Sequence, residues 1–142
     1  MNEEWDLHPE WADWIREVWK DAPPGINRVQ YQFDDHPCRL AFEEMAKGAF
    51  ERAGVEFRRI KTWIVLQKEE EGEGYIEGHP HQHYPLRATS LITYLTGGSP
   101  IYIEGVKTDI HPGMMLMFHN STWHGVYKHK GPDRLALIAT AL

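Results

Sequence analysis

The sequence predicts a mainly β fold, an antiparallel barrel or sandwich, with helices in front of it. Two observations carry this expectation. From Val55 onward, short runs rich in Val, Ile, Thr, Tyr and Phe are cut by Gly- and Pro-containing breaks. Before Gly54, apolar residues instead recur at helical spacing. A chain of 142 residues can bury one substantial core. Residues 1–142 are therefore expected to form a single domain, with 1–54 as mostly helical support and 55–142 as the β-barrel core.

The first helix is expected to start near Pro9, with Trp11, Trp14, Ile15, Val18 and Trp19 as an i, i+3, i+4, i+7, i+8 stripe. Pro23-Pro24-Gly25 ends it, and a short extended piece, Val29 to Phe33, follows. The second helix spans Pro37 to Ala53. It gathers Phe42, Met45, Ala46, Ala49, Phe50 and Ala53 on one face, with Gly54 as its C-terminal cap. Both stripes read as packing surface.

Expected strands then run Val55–Leu66, Tyr75–His83, Arg87–Thr96, Pro100–Glu104, Val106–Ile110, Met114–Phe118, Trp123–Lys128 and Arg134–Leu142. The breaks are the solvated loop 69–74, Gly97-Gly98, Gly105, Pro112-Gly113, the Asn120-Ser121-Thr122 corner and Gly131-Pro132. Strands at this spacing suit an antiparallel barrel or sandwich.

Composition narrows the function classes. The net charge is −6, from 15 basic and 21 acidic residues, and the basic residues are scattered, so no nucleic-acid partner is expected. The acidic start Met1-Asn2-Glu3-Glu4 has no apolar signal region, and no apolar run reaches membrane-spanning length. The single cysteine, Cys38, fits a reducing, cytoplasmic setting and reads as a small hydrophobe.

Chemistry concentrates in the histidines. His81 and His83 are two apart, so a regular strand puts them on one face. His124 opens another strand some forty residues later, and barrel closure can bring such positions together. Neutral imidazole is accepted by iron, zinc, copper and nickel. Three protein ligands leave coordination positions open, as a catalytic metal requires and a closed structural zinc does not. Ten residues beyond His124, Arg134 opens the last strand on the same face as Ala136, Ile138 and Thr140. An inward arginine calls for an anionic partner, and its planar fork suits a carboxylate. The alternative is an arginine that snorkels to water.

The run Arg87-Ala88-Thr89-Ser90-Leu91-Ile92-Thr93-Tyr94-Leu95, followed by Gly97-Gly98, resembles the segment after the metal motif of prolyl-4-hydroxylase-like, 2-oxoglutarate- and Fe(II)-dependent dioxygenases. Pro112-Gly113, the strand ending in Phe118, Trp123-His124-Gly125-Val126 and Arg134 resemble that family's closing half. The likeness spans roughly residues 75 to 142 and rests on the order and spacing of the pieces. It implies a double-stranded β-helix (jelly-roll, cupin-like barrel), Fe(II) as the metal, 2-oxoglutarate and oxygen as cosubstrates, and hydroxylation of an unidentified substrate. By position, His81 matches the first metal ligand, His124 the distal histidine, and Arg134 the residue that pairs with the far carboxylate of 2-oxoglutarate. Thr93 and Tyr94 lie on the strand that lines the cosubstrate pocket.

The chain departs from this pattern at His83, where the family has Asp or Glu. His83 is then the third ligand, or a neighbour of the site with Asp109 or Glu77 supplying the carboxylate, or a mark of lost iron chemistry. His79 is a weaker first ligand, because it would shift the register against Arg87 and Tyr94. The rival enzyme reading is a cupin, with His81, His83 and His119 or His124 as a three-histidine centre of a dioxygenase or isomerase. Against it, Tyr84-Pro85-Leu86-Arg87 stands where cupins carry a glutamate. A third reading is a non-catalytic barrel that binds a metal or a small acid. Trp123, beside the distal histidine, is expected to pack or to shield the site.

Overall fold

A computed structural model describes residues 2–4, 13, 17, 28–31, 37–69, 71–75, 80–131 and 133–142. Asp13 and Glu17 are helical, inside the stretch where the sequence predicts the first helix. The remainder of that stretch, with its tryptophan stripe, lies outside the described residues. In chain order the elements are β1 (Asn2–Glu4), β2 (Arg28–Tyr31), helix α1 (Pro37–Arg52), β3 (Ile60–Gln67), β4 (Thr89–Tyr94), β5 (Gly98–Ile103), β6 (Val106–Ile110), β7 (Met114–His119), β8 (His124–Val126) and β9 (Arg134–Ala141).

Helix α1 forms because its apolar residues fall on one stripe. Phe42, Ala46, Ala49 and Phe50 are fully buried, and Met45 packs beside them. Burying each phenylalanine stabilises the fold by roughly 2 kcal/mol. The helix ends at Gly54, which sits at φ 73°. Its N–H donates to Glu51 O, and the Val55 N–H donates to Phe50 O. This paired arrangement satisfies carbonyls that the helix end would otherwise leave open. Ala53, expected on the buried face, is exposed past the end of the helix.

The strands form two antiparallel sheets. The larger has the order β1-β7-β4-β9-β3-β2, the smaller β6-β5-β8. β9 lies at the centre of the larger sheet, paired to β3 from Ala141↔Ile60 to Arg134↔Gln67 and to β4 on its other side. All eight of its residues are buried, because both faces of the sheet are covered. Leu135, Leu137 and Ala139 meet helix α1 through Leu91, Ile64 and Leu66. On the other face, Ala136, Tyr94, Met114 and Leu116 pack against Ile101 and Ile110 of the smaller sheet. The result is a jelly roll with a helix on its outer face, the fold expected from the sequence. No helix among the described residues is long and apolar enough to cross a membrane.

Three departures have physical causes. Residues 55–59 are not strand. Val55 and Phe57 pack on the helix side while the Arg58 and Arg59 amides bond to Leu142 O, so pairing with β9 begins at Ile60. In the expected strand Tyr75–His83, of which 75 and 80–83 are described, Tyr75 and His81 each form a single bridge, to Tyr127 and His124. Conversely, Asn2–Glu4 pairs with Met114–Leu116 despite having no β-forming side chains, because an edge strand needs only its backbone groups.

Candidate metal centre

His124 opens β8 opposite Ile103, and it is buried at 6% exposure. His81 docks against it through reciprocal backbone bonds, His81 N–H to His124 O at 2.7 Å and His124 N–H to His81 O at 3.0 Å. Their ring centroids lie 4.5 Å apart. Two residues on, His83 returns to the same side, 4.9 Å from His81 and 4.7 Å from His124 between centroids. One ligand nitrogen from each ring lies within 4.8 Å of the other two. An ion coordinated at about 2.0–2.1 Å from imidazole nitrogen fits among them after a small inward adjustment.

The donor chemistry suits a metal. His124 Nδ1 lies 2.8 Å from Thr122 O. A carbonyl can only accept, so Nδ1 carries the proton and Nε2 presents its lone pair. Phe118 packs on the His124 ring at 4.9 Å, adding an apolar wall. The loop carrying His83 is pinned by Asn120. Asn120 O accepts from the His83 amide at 2.9 Å, its Nδ2 donates to Pro85 O at 3.1 Å, and its Oδ1 accepts from Ser90 Oγ at 2.5 Å. Gln82 Nε2 donates to Ser121 O alongside, at 2.5 Å. From the sequence, Asn120 reads only as part of a turn. Its structural work depends on two segments some thirty residues away, which no local pattern shows.

Gly125 has a steric role. A Cβ there would lie 2.6 Å from the Tyr75 ring and 3.4 Å from Pro80 Cα. The Tyr75 ring therefore packs on β8 at a distance that only glycine permits, with Pro80 in ordinary contact beside it.

Among the described residues no carboxylate joins the three histidines. Asp109 does not supply one: it is exposed on β6 and lies 3.9 Å from Lys107. Glu77 and His79 lie outside the described residues. His119 is not part of the cluster either; it is exposed, with Nδ1 3.3 Å from Thr89 Oγ1. Trp123, expected to pack or to shield the site, is 55% exposed.

Arg134 is buried, at 5% exposure, on the inner face of β9. Its guanidinium donates to the Gln67 amide oxygen directly across the ladder, and lies 5.9 Å from the Tyr94 ring centroid. Gln67, absent from the sequence-based candidates, is 2% exposed, and its Nε2 donates to Tyr127 O at 3.4 Å. Thr93 is not brought to this group. Strand alternation places it on the face shared with Leu91, toward the helix, while Tyr94 faces inward.

No family model matches the chain, and no curated protein matches it. Solved structures do. A viral collagen prolyl hydroxylase from Paramecium bursaria Chlorella virus-1, in a 2-oxoglutarate complex, aligns with a TM-score of 0.66 at 12% identity, over 99% of this chain and 96% of its own. A Pseudomonas putida prolyl-4-hydroxylase aligns with a TM-score of 0.64 at 12% identity, over 99% and 91%. A cupin from Desulfovibrio desulfuricans aligns at 0.46 and 23% identity, over 61% and 74%. At these identities the likeness is one of fold.

Proposed function

We propose that this chain is a non-haem iron oxygenase that uses 2-oxoglutarate and molecular oxygen to hydroxylate a substrate not yet identified. The observation that carries the reading is the convergence of His81, His83 and His124 at the edge of a jelly roll. Support comes from the like-folded prolyl hydroxylases, one of which is a 2-oxoglutarate complex.

The three imidazoles would hold Fe(II), which supplies the redox chemistry that activates oxygen. The chain's own residues would do the rest. Thr122 fixes the His124 tautomer, so that a lone pair is available without a proton having to leave. Asn120 holds the His83 loop in place, which lowers the entropic cost of assembling the site. Arg134, steadied by Gln67 and bordered by Tyr94, would bind the distal carboxylate of 2-oxoglutarate. Phe118 keeps water from one side of His124.

A second reading has an observation of its own. The described cluster contains no carboxylate, so a three-histidine metal enzyme that needs no 2-oxoglutarate is the alternative. Anaerobic loading with Fe(II), followed by addition of oxygen and 2-oxoglutarate, separates the two. The oxygenase reading expects succinate to form slowly even without a primary substrate. Oxygen uptake with other candidate substrates, and no succinate under any of them, would establish the alternative.

A further inference from the structure

A cavity of about 420 Å³ opens beside His83, at the lower end of the usual ligand-pocket range. Its far wall comes from the inward face of β3 and the residues just before it. Alternation turns Lys61 and Trp63 to this side, while Ile64 and Leu66 face the helix. Arg59 joins them. Its backbone is held by two bonds to Leu142, Arg59 N–H to Leu142 O at 3.2 Å and Leu142 N–H to Arg59 O at 2.8 Å. Arg59 and Lys61 are both exposed into this opening.

The charge balance at this place is inverted. The chain as a whole carries −6, yet among the described residues no Asp or Glu lines the cavity, while Arg59 and Lys61 do. The polar groups of its floor are already engaged: Ser90 donates to Asn120 and shares a 2.9 Å bond with Thr140. Trp63 contributes an apolar surface, and its buried indole N–H has no acceptor among the described residues. The wall thus carries two positive charges, while the Ser90, Asn120 and Thr140 side chains are engaged with one another. Arg134, Gln67 and Tyr94 do not line this cavity. Arg134 and Thr140 are six residues apart on β9, roughly 20 Å along an extended strand.

The geometry points to a small carboxylic acid as the primary substrate, its carboxylate held by Arg59 and Lys61, its apolar body against Trp63, and its reacting carbon toward His83. This assignment rests on the reading of His83 as part of the metal centre. The carboxylate site itself stands on the cavity alone.

The test uses metal-free full-length protein, so that it succeeds or fails independently of 2-oxoglutarate turnover. Binding of 4-fluorobenzoate is followed by ¹⁹F NMR, with 4-fluorobenzamide as the uncharged control of nearly the same shape. The acid is expected to bind more tightly than the amide, and more weakly as salt rises. The Arg59→Gln/Lys61→Gln double variant is expected to lose about tenfold or more in affinity for the acid. Arg134→Ala is expected to keep it, and saturating 2-oxoglutarate to leave the bound acid in place. Equal binding of acid and amide, no saturable binding of the acid, or unchanged affinity in the double variant would overturn the proposal. So would displacement by 2-oxoglutarate together with dependence on Arg134, because the carboxylate site would then belong to the cosubstrate. The acid-versus-amide and salt comparisons need only the wild-type chain, so the outcome does not hinge on the variant's folding.

Discussion

His81 and His124 lie opposite each other across two reciprocal backbone hydrogen bonds, at 2.7 and 3.0 Å, with their rings 4.5 Å apart. Main chain, not side chain, fixes their spacing. Removing either imidazole should therefore leave the local fold standing while deleting a ligand. His81→Ala and His124→Ala are each expected to abolish stoichiometric Fe(II) or Co(II) binding in anaerobic calorimetric titrations. Near-normal thermal midpoints should accompany the loss. Tight residual binding in either variant would count against the ligand set.

Gly125→Ala tests how the first ligand is delivered. The added methyl would sit 2.6 Å from the Tyr75 ring, which is itself packed at 4.6 Å on Tyr127 and 5.8 Å from Tyr102. With the ring unable to swing away freely, the strain should fall on the Pro80–His81 segment. A destabilisation of about 1–3 kcal/mol is expected, and metal affinity should drop with it. Denaturant unfolding and metal titration check the two effects separately. Stability falling while metal affinity holds would confine the role of Gly125 to packing.

The parts legible in the sequence share a cause. Phe42, Ala46, Ala49 and Phe50 could be read as one face because helical periodicity is local, and the same holds for β6, whose bounds are found as expected. His81, His83 and His124 could be grouped because metal chemistry limits which residue types can serve. Gln67, Asn120 and Lys61 could not be found that way. Each acts on a partner distant in sequence, and each belongs to a type common in turns or on surfaces. Thr93 does not share the inner face with Tyr94 for a simpler reason. Neighbours on a strand point to opposite faces, so only one of the two could reach the inside.

Phe50→Ala probes the other core. Phe50 is fully buried between α1 and the larger sheet, on the face away from the smaller sheet. A loss of about 3–5 kcal/mol in unfolding free energy is expected. Metal affinity measured well below the unfolding midpoint should stay at the wild-type value. A matching loss of metal binding in still-folded protein would show that the two faces of the sheet are coupled.

His83→Asp asks what the third imidazole replaces. The His83 amide is anchored to Asn120 O, so the backbone should hold its place under substitution. A carboxylate there would add a negative charge and lower the net charge of a loaded divalent site by one unit. Tighter Fe(II) binding and faster succinate formation are expected if this position takes the part of a carboxylate. Loss of metal binding would instead show that the longer imidazole is needed to reach the ion.

Arg134 and Gln67 should separate cosubstrate binding from iron binding. The guanidinium is buried, and a buried charge is tolerated when hydrogen bonds and a counter-charge offset its desolvation. Gln67 supplies a neutral acceptor that orients the guanidinium, whose planar fork suits an incoming carboxylate. Arg134→Ala is expected to weaken 2-oxoglutarate by about 2–5 kcal/mol while Fe(II) affinity stays unchanged. Gln67→Ala keeps the charge but frees its direction, and should give a smaller loss of about 1–2 kcal/mol. Isothermal titration of 2-oxoglutarate into metal-loaded protein ranks the two. If both variants retain wild-type affinity, Arg134 is a structural residue of the β3–β9 ladder and the cosubstrate assignment falls. If Gln67→Ala alone is severe, the loss lies in the Gln67 amide, through its bond to Tyr127 O, and not in the charge of Arg134.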